Sequence, residues 1–140
     1  MTGPRSAMQA RAAQRRRAAL RQALLETRAF SVVELARRRG QPEAATRLWL
    51  ARRLGDQRLF TVPHDGQELV PAFQPTGPGE DLEPRPELQP LLVVLAGADL
   101  GGWTIWTWLT QPSGLLSGQR PVDVAVIDPT RAHRAAERFA

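Results

Sequence analysis

The sequence predicts a mainly α fold in two subdomains, an N-terminal helix-turn-helix with a small β-hairpin wing and a small helical C-terminal domain. Three observations lead there. Charge divides the chain: residues 1–58 hold fourteen arginines against four acids, a net of +10, and residues 59–140 hold five arginines against ten acids, a net of −5. Apolar residues recur at helical spacing on both sides of a proline-rich, acidic stretch at 75–90. Between the helical patterns, the region around Asp65-Gly66 switches to strand character with a strong turn signal. The expected organisation is a basic helical extension, partly disordered, over 1–30; the helix-turn-helix and hairpin over 31–74; a linker over 75–90; and the C-terminal domain over 91–140.

Residues 1–6 read as a disordered lead-in with Ser6 as a helix cap. From Ala7 to about Thr27 there is no Gly or Pro, and strong helix formers dominate. Ala12, Ala19, Leu20, Ala23 and Leu24 make a thin apolar stripe, with arginines on separate stripes. Ser31 is a fitting N-cap with Glu34 three residues on, the capping-box pattern. That helix ends at Gly40 after a basic last turn. Pro42 suits the first turn of a third helix over Glu43 to Leu54, which stops at Gly55. Arg58 to Val62 reads as a strand, His64-Asp65-Gly66 as a turn and Gln67 to Val70 as the return strand, with Pro63 limiting the pairing. Leu91 to Ala98 is an apolar helix, Gly101-Gly102 an interruption and Trp103 to Thr110 a further helix. Pro112 to Gly118 forms a loop, Pro121 to Val126 a short helical turn, and Asp128-Pro-Thr130 starts a last helix, Arg131 to Phe139.

The segment Val32 to Leu54 has the layout of a helix-turn-helix. Ala36 is small where two helices cross, and Gly40 supplies a permissive turn. Arg37 and Arg38 close the first helix. The second helix carries Arg47, Arg52 and Arg53 on its expected outer face, with Gln41 and Thr46 near its N-terminus. Guanidinium groups neutralise phosphates and release counterions, and bidentate contacts to guanine add specificity. These seven residues are the candidate DNA contacts. Arg39 and Gln41 stand where apolar residues usually support the turn. The competing readings of the basic half are a plain helical hairpin with a solvated face, or a surface for an acidic protein. Trp49 is assigned to the core. That all nineteen basic residues are arginine reflects codon composition; their placement is the informative part.

Other chemistry finds little footing. The absence of cysteine removes disulfides, thiolate metal sites and cysteine nucleophiles. His64 and His133 lie in no metal-ligand spacing, and Gly97 to Gly102 lacks the Gly-Lys-Ser/Thr of a phosphate loop. Ser113 and Ser117 have no nucleophile-elbow context. No catalytic residue, metal or cofactor is assigned. No apolar run approaches the roughly 20 residues that span a bilayer, and the N-terminus does not resemble a secretory signal. A cytoplasmic protein without membrane contact is expected.

The C-terminal half concentrates tryptophan, at Trp103, Trp106 and Trp108. On a helix, Trp103 and Trp106 share one face, and Ile105, Trp108 and Leu109 another, so the helix is central to a core or shared with a partner. The run Trp108-Leu109-Thr-Gln-Pro112-Ser-Gly-Leu115-Leu116-Ser-Gly118-Gln-Arg-Pro121-Val122-Asp123 resembles the signature of the Xre/MbcA/ParS toxin-binding domain. That signature is an aromatic-Leu pair, a short Pro-containing loop, Leu followed by Gly, then Pro and an apolar residue. The matching positions are Trp108, Leu109, Pro112, Leu115, Leu116, Gly118, Pro121 and Val122. Where family members often carry Asn in the loop, this chain has Ser113-Gly114, and its basic extension is longer. The resemblance implies an antitoxin of a type II toxin–antitoxin pair, whose C-terminal domain covers the active site of a RES-type, NAD-consuming toxin. It also implies repression of the operon's own promoter, with a homodimer on a palindromic operator. The alternatives are a stand-alone DNA-binding regulator or chromosome-associated protein that uses the C-terminal domain for dimerisation, and an interaction module without a DNA role.

Overall fold

In the computed structural model, which describes residues 3–140, Pro4 rather than Ser6 opens the first helix. Proline suits this position because the first N–H groups of a helix have no internal partner. Met1 and Thr2 of the expected lead-in lie outside the described residues. Helix α1 (Pro4–Glu26) buries only Leu24, with Leu20 and Leu25 partly covered by the same core. Its arginines 5, 11, 15, 16, 17 and 21 are all exposed. The helix ends at Thr27, whose Oγ1 donates to the Leu24 carbonyl at 2.6 Å.

A two-residue strand, β1 (Ala29–Phe30), follows before α2 (Val32–Arg39) and α3 (Glu43–Gly55). Both halves of the capping box at Ser31 and Glu34 are made, and Gly40 closes α2 with φ +64°. That left-handed value is the conformation glycine adopts without steric cost. Strands β2 (Val62–His64) and β3 (Gln67–Pro71) form the hairpin, and His64 pairs with Gln67 across the two-residue turn Asp65-Gly66. Both turn residues have positive φ, +48° and +74°, as a right-twisted two-residue hairpin requires. Strand β3 also pairs with β1, so the antiparallel sheet runs β1-β3-β2.

The strand expected from Arg58 begins only at Val62. Leu59 and Phe60 are buried, but Phe60 bonds to a side chain instead of a ladder. Its N–H donates to the Gln74 Oε1 and its carbonyl accepts from Gln74 Nε2, both at 2.9 Å. Gln74 is fully buried and stands in for a neighbouring strand.

The segment 75–90 does not act as a free linker. Strands β4 (Pro75–Thr76) and β5 (Glu83–Pro84) pair antiparallel around a 3-10 turn at Gly79–Asp81, and a second 3-10 turn at Pro86–Leu88 leads into α4 (Gln89–Gly97). At Gly77, with φ +99°, an added Cβ would sit 2.5 Å from the Asp81 carbonyl oxygen, so the turn closes too tightly for a side chain. Leu82 and Leu88 anchor the segment in different cores. Prolines made the stretch look loose; in fact they fix φ along a packed strap.

Helices α5 (Gly102–Thr110), α6 (Pro121–Ile127) and α7 (Pro129–Phe139) complete the chain, and α7 packs on α4 and α6. The Asp128 side chain caps α7 by accepting from Arg131 N. The short helical turn expected at 121–126 is a seven-residue α-helix that extends to Ile127. Two apolar clusters result. One joins Phe30, Leu35, Trp49, Leu50, Val70 and Leu82. The other centres on Leu91, Leu95, Trp106 and Leu109, and it also takes Leu24, Phe60 and Val62 from the first half of the chain. The two expected subdomains therefore share a core rather than lying apart on a tether. At their junction, a Cβ on Gly102 would collide with the Thr61 carbonyl oxygen, so α5 starts hard against the approach to β2.

Candidate nucleic-acid and partner interfaces

The basic surface is built on α2 and α3. Arg37 and Arg38 are exposed in the last turn of α2, where positive charge complements the helix dipole. Arg38 lies 4.4 Å over the Phe30 ring. On α3, Arg47 and Arg52 are exposed, and Arg47 pairs with Glu43 one turn earlier at 2.7 Å. Exposed i,i+4 pairs of this kind are weak, ~0.3–0.5 kcal/mol, so Arg47 is readily released to a stronger anion.

Three of the seven expected contacts are placed differently. Thr46 is fully buried and its Oγ1 accepts from Arg39 Nη1 at 3.0 Å, so it reaches no phosphate or base edge. Gln41 Nε2 donates to Glu80 at 2.7 Å. Arg53 is clamped by Glu83, with Nε at 2.9 Å and Nη2 at 2.7 Å from the two carboxylate oxygens. This bidentate bond holds the Glu83 carboxyl below the ordinary carboxylate range, against the opposing effect of burial, and raises Arg53 further. Gln41 and Arg53 thus face the acidic strap. Arg39 solves the turn that lacked an apolar support: its guanidinium lies 4.6 Å over the buried Trp49 ring while its head reaches Thr46. The strap's partners at Glu80 and Glu83 had no local signal, because each pairing spans 30 residues or more.

The C-terminal motif divides by exposure. Trp108, Leu109, Leu116, Pro121 and Val122 are buried and shape the helical core. Pro112, Leu115 and Gly118 are exposed. The loop between them is held from inside. Ser113 Oγ accepts from Leu115 N at 3.2 Å, its carbonyl accepts from Gly118 N at 2.8 Å, and its N–H donates to Gln119 O at 3.0 Å. Ser117 and Gly118 both adopt positive φ, +54° and +83°, which turns the chain into α6.

Beside this loop lies an open groove of about 510 Å³ between α1 and α5. Trp103 and Trp108 line it together with Arg17, Arg21, Leu115 and Phe139. Trp103 stacks on Trp106 with centroids 5.6 Å apart, and Trp108 stacks on Phe139 at 5.3 Å. The Trp103 Nε1 donates to the Pro63 carbonyl at 3.1 Å, tying α5 to the hairpin. The sequence had marked Trp108, Pro112 and Leu115; Arg17, Arg21 and Phe139 come from segments far apart in the chain and carry no shared motif. No helix among the described residues is long and apolar enough to cross a membrane. No family model, curated protein or solved structure matches the chain.

Proposed function

We propose that this chain is the antitoxin of a type II toxin–antitoxin pair, neutralising a RES-type NAD-consuming toxin by covering its active site and repressing its own promoter. The observation that carries the reading is the division within the 108–123 motif. Its buried members close a helical core, and its exposed members, Pro112 and Leu115, leave a rigid apolar loop at the surface. Such a surface suits a protein partner better than a small substrate, since rigid apolar groups lose little entropy on binding.

The DNA-binding part is supported by chain order and charge. Helix, strand, helix, helix and hairpin, with the return strand paired to β1, fit a helix-turn-helix carrying a wing. Arg37, Arg38, Arg47 and Arg52 give this unit four exposed cations for phosphate contact. A palindromic operator would call for a homodimer.

Co-expression with the product of the adjacent gene tests the first part. The two should co-purify, and this chain should relieve growth arrest caused by that product alone. A neighbour that is harmless and does not co-purify contradicts the antitoxin reading.

A further inference from the structure

We propose that the groove between α1 and α5 seats an acidic, apolar segment of the partner protein, so that the C-terminal part of the arginine-rich helix serves protein recognition. The partner's identity rests on the antitoxin reading; the groove's chemistry rests on its own residues. Its floor is aromatic, from Trp103 and Trp108, and its charged residues, Arg17 and Arg21, are both positive. Neither arginine has a carboxylate partner among the described residues. Arg21 lies 5.1 Å over the Trp103 ring, so one cation sits directly beside the apolar floor.

The walls of the site are also held by contacts within the chain itself. Trp103 is fixed by its stack on Trp106 and its bond to Pro63, and the loop wall by the bonds of Ser113. Trp108 is 7% exposed, yet its Nε1 has no hydrogen-bond partner. Tryptophan and arginine in preformed clefts are the residue types that dominate binding energy at interfaces. The groove follows α5 from Trp103 to Gln111, a length of about 12 Å at 1.5 Å per residue. That length fits a short peptide segment presenting apolar side chains to the indoles and carboxylates to the two guanidinium groups.

The test uses the full chain and the adjacent-gene product. Arg17→Glu with Arg21→Glu reverses the charge of one wall, and Thr104→Arg fills the exposed edge of the floor. Arg11→Glu with Arg15→Glu makes the same charge change on the same helix outside the groove. Circular dichroism melting checks that all three remain folded. Both groove variants should bind at least about tenfold more weakly, a loss of about 1.4 kcal/mol, while the control stays near wild type. Arg17→Lys with Arg21→Lys should retain most of the affinity. Groove variants that bind like wild type, or a control that loses as much, would overturn the groove while leaving the antitoxin reading intact. A wild-type chain that does not bind the adjacent-gene product at all removes that reading and the groove's occupant together.

Discussion

Gln74 and Glu83 carry more of the architecture than their residue types suggest. Gln74 supplies both hydrogen bonds that Phe60 would otherwise take from a strand. Gln74→Ala should therefore leave a buried N–H and carbonyl unpaired and lower the unfolding free energy by about 2–4 kcal/mol, read by chemical denaturation. Glu83 ties the strap to α3 through Arg53 and, at 3.5 Å, through Trp49 Nε1. Its folded pKa lies below the ordinary 4.5, so its contribution is full above that value and is lost as pH falls through the lower folded value. The pair is partly solvated, which limits the effect. Glu83→Gln should cost about 1 kcal/mol or less at neutral pH, and the gap from wild type should close in acid. A gap that widens in acid would contradict this sign. Neither role was legible in the sequence. Nothing local marks Gln74 as buried or Glu83 as paired; only the tertiary fold brings Phe60 to the one and Arg53 to the other.

At the scale of elements, what was legible had local causes. The Ser31–Glu34 box, Gly40, the Asp65-Gly66 turn and Asp128 each act within a few residues, and each sits where its chemistry requires; Pro42, expected in the first turn of α3, stands one place earlier as its N-cap. Strand β1 and the strap depend on distant partners and left only weak patterns. The same contrast separates the candidate DNA contacts. Arg52→Ala should weaken binding to the promoter fragment across salt concentrations and reduce the salt slope by about 1, measured by fluorescence anisotropy. Thr46→Ala should instead lower the melting temperature and leave that slope unchanged, because Thr46 is buried beneath the turn. Gly102→Ala tests the junction of α5 with the hairpin. Its Cβ would meet the Thr61 carbonyl, and the strain should destabilise the whole fold by about 1–3 kcal/mol. A melting temperature equal to wild type would mean that the junction yields.

For the whole molecule, the charge split and the fold do not share a boundary. Leu24, from the basic stretch 1–58, packs in the core built mainly on the acidic stretch, while Leu59, Val70 and Leu82, from the acidic stretch, pack with Leu35 and Trp49 of the basic one. The strap places Leu82 in one cluster and Leu88 in the other, so the two units are joined by packed side chains rather than by a free tether. The exposed arginines likewise lie on two surfaces: Arg37, Arg38, Arg47 and Arg52, the proposed phosphate contacts, on α2 and α3, and Arg17 and Arg21 beside an aromatic groove. Composition pointed to a basic half but could not divide these roles, because exposure and neighbours decide them. As proposed, this chain silences an NAD-consuming partner by direct contact. The most direct measurement is NAD hydrolysis by the purified adjacent-gene product, with and without an equimolar amount of this chain. The product alone should hydrolyse NAD, and hydrolysis should fall to background when the two are mixed; hydrolysis that continues unchanged in the mixture, or a product that never consumes NAD, would contradict the antitoxin role.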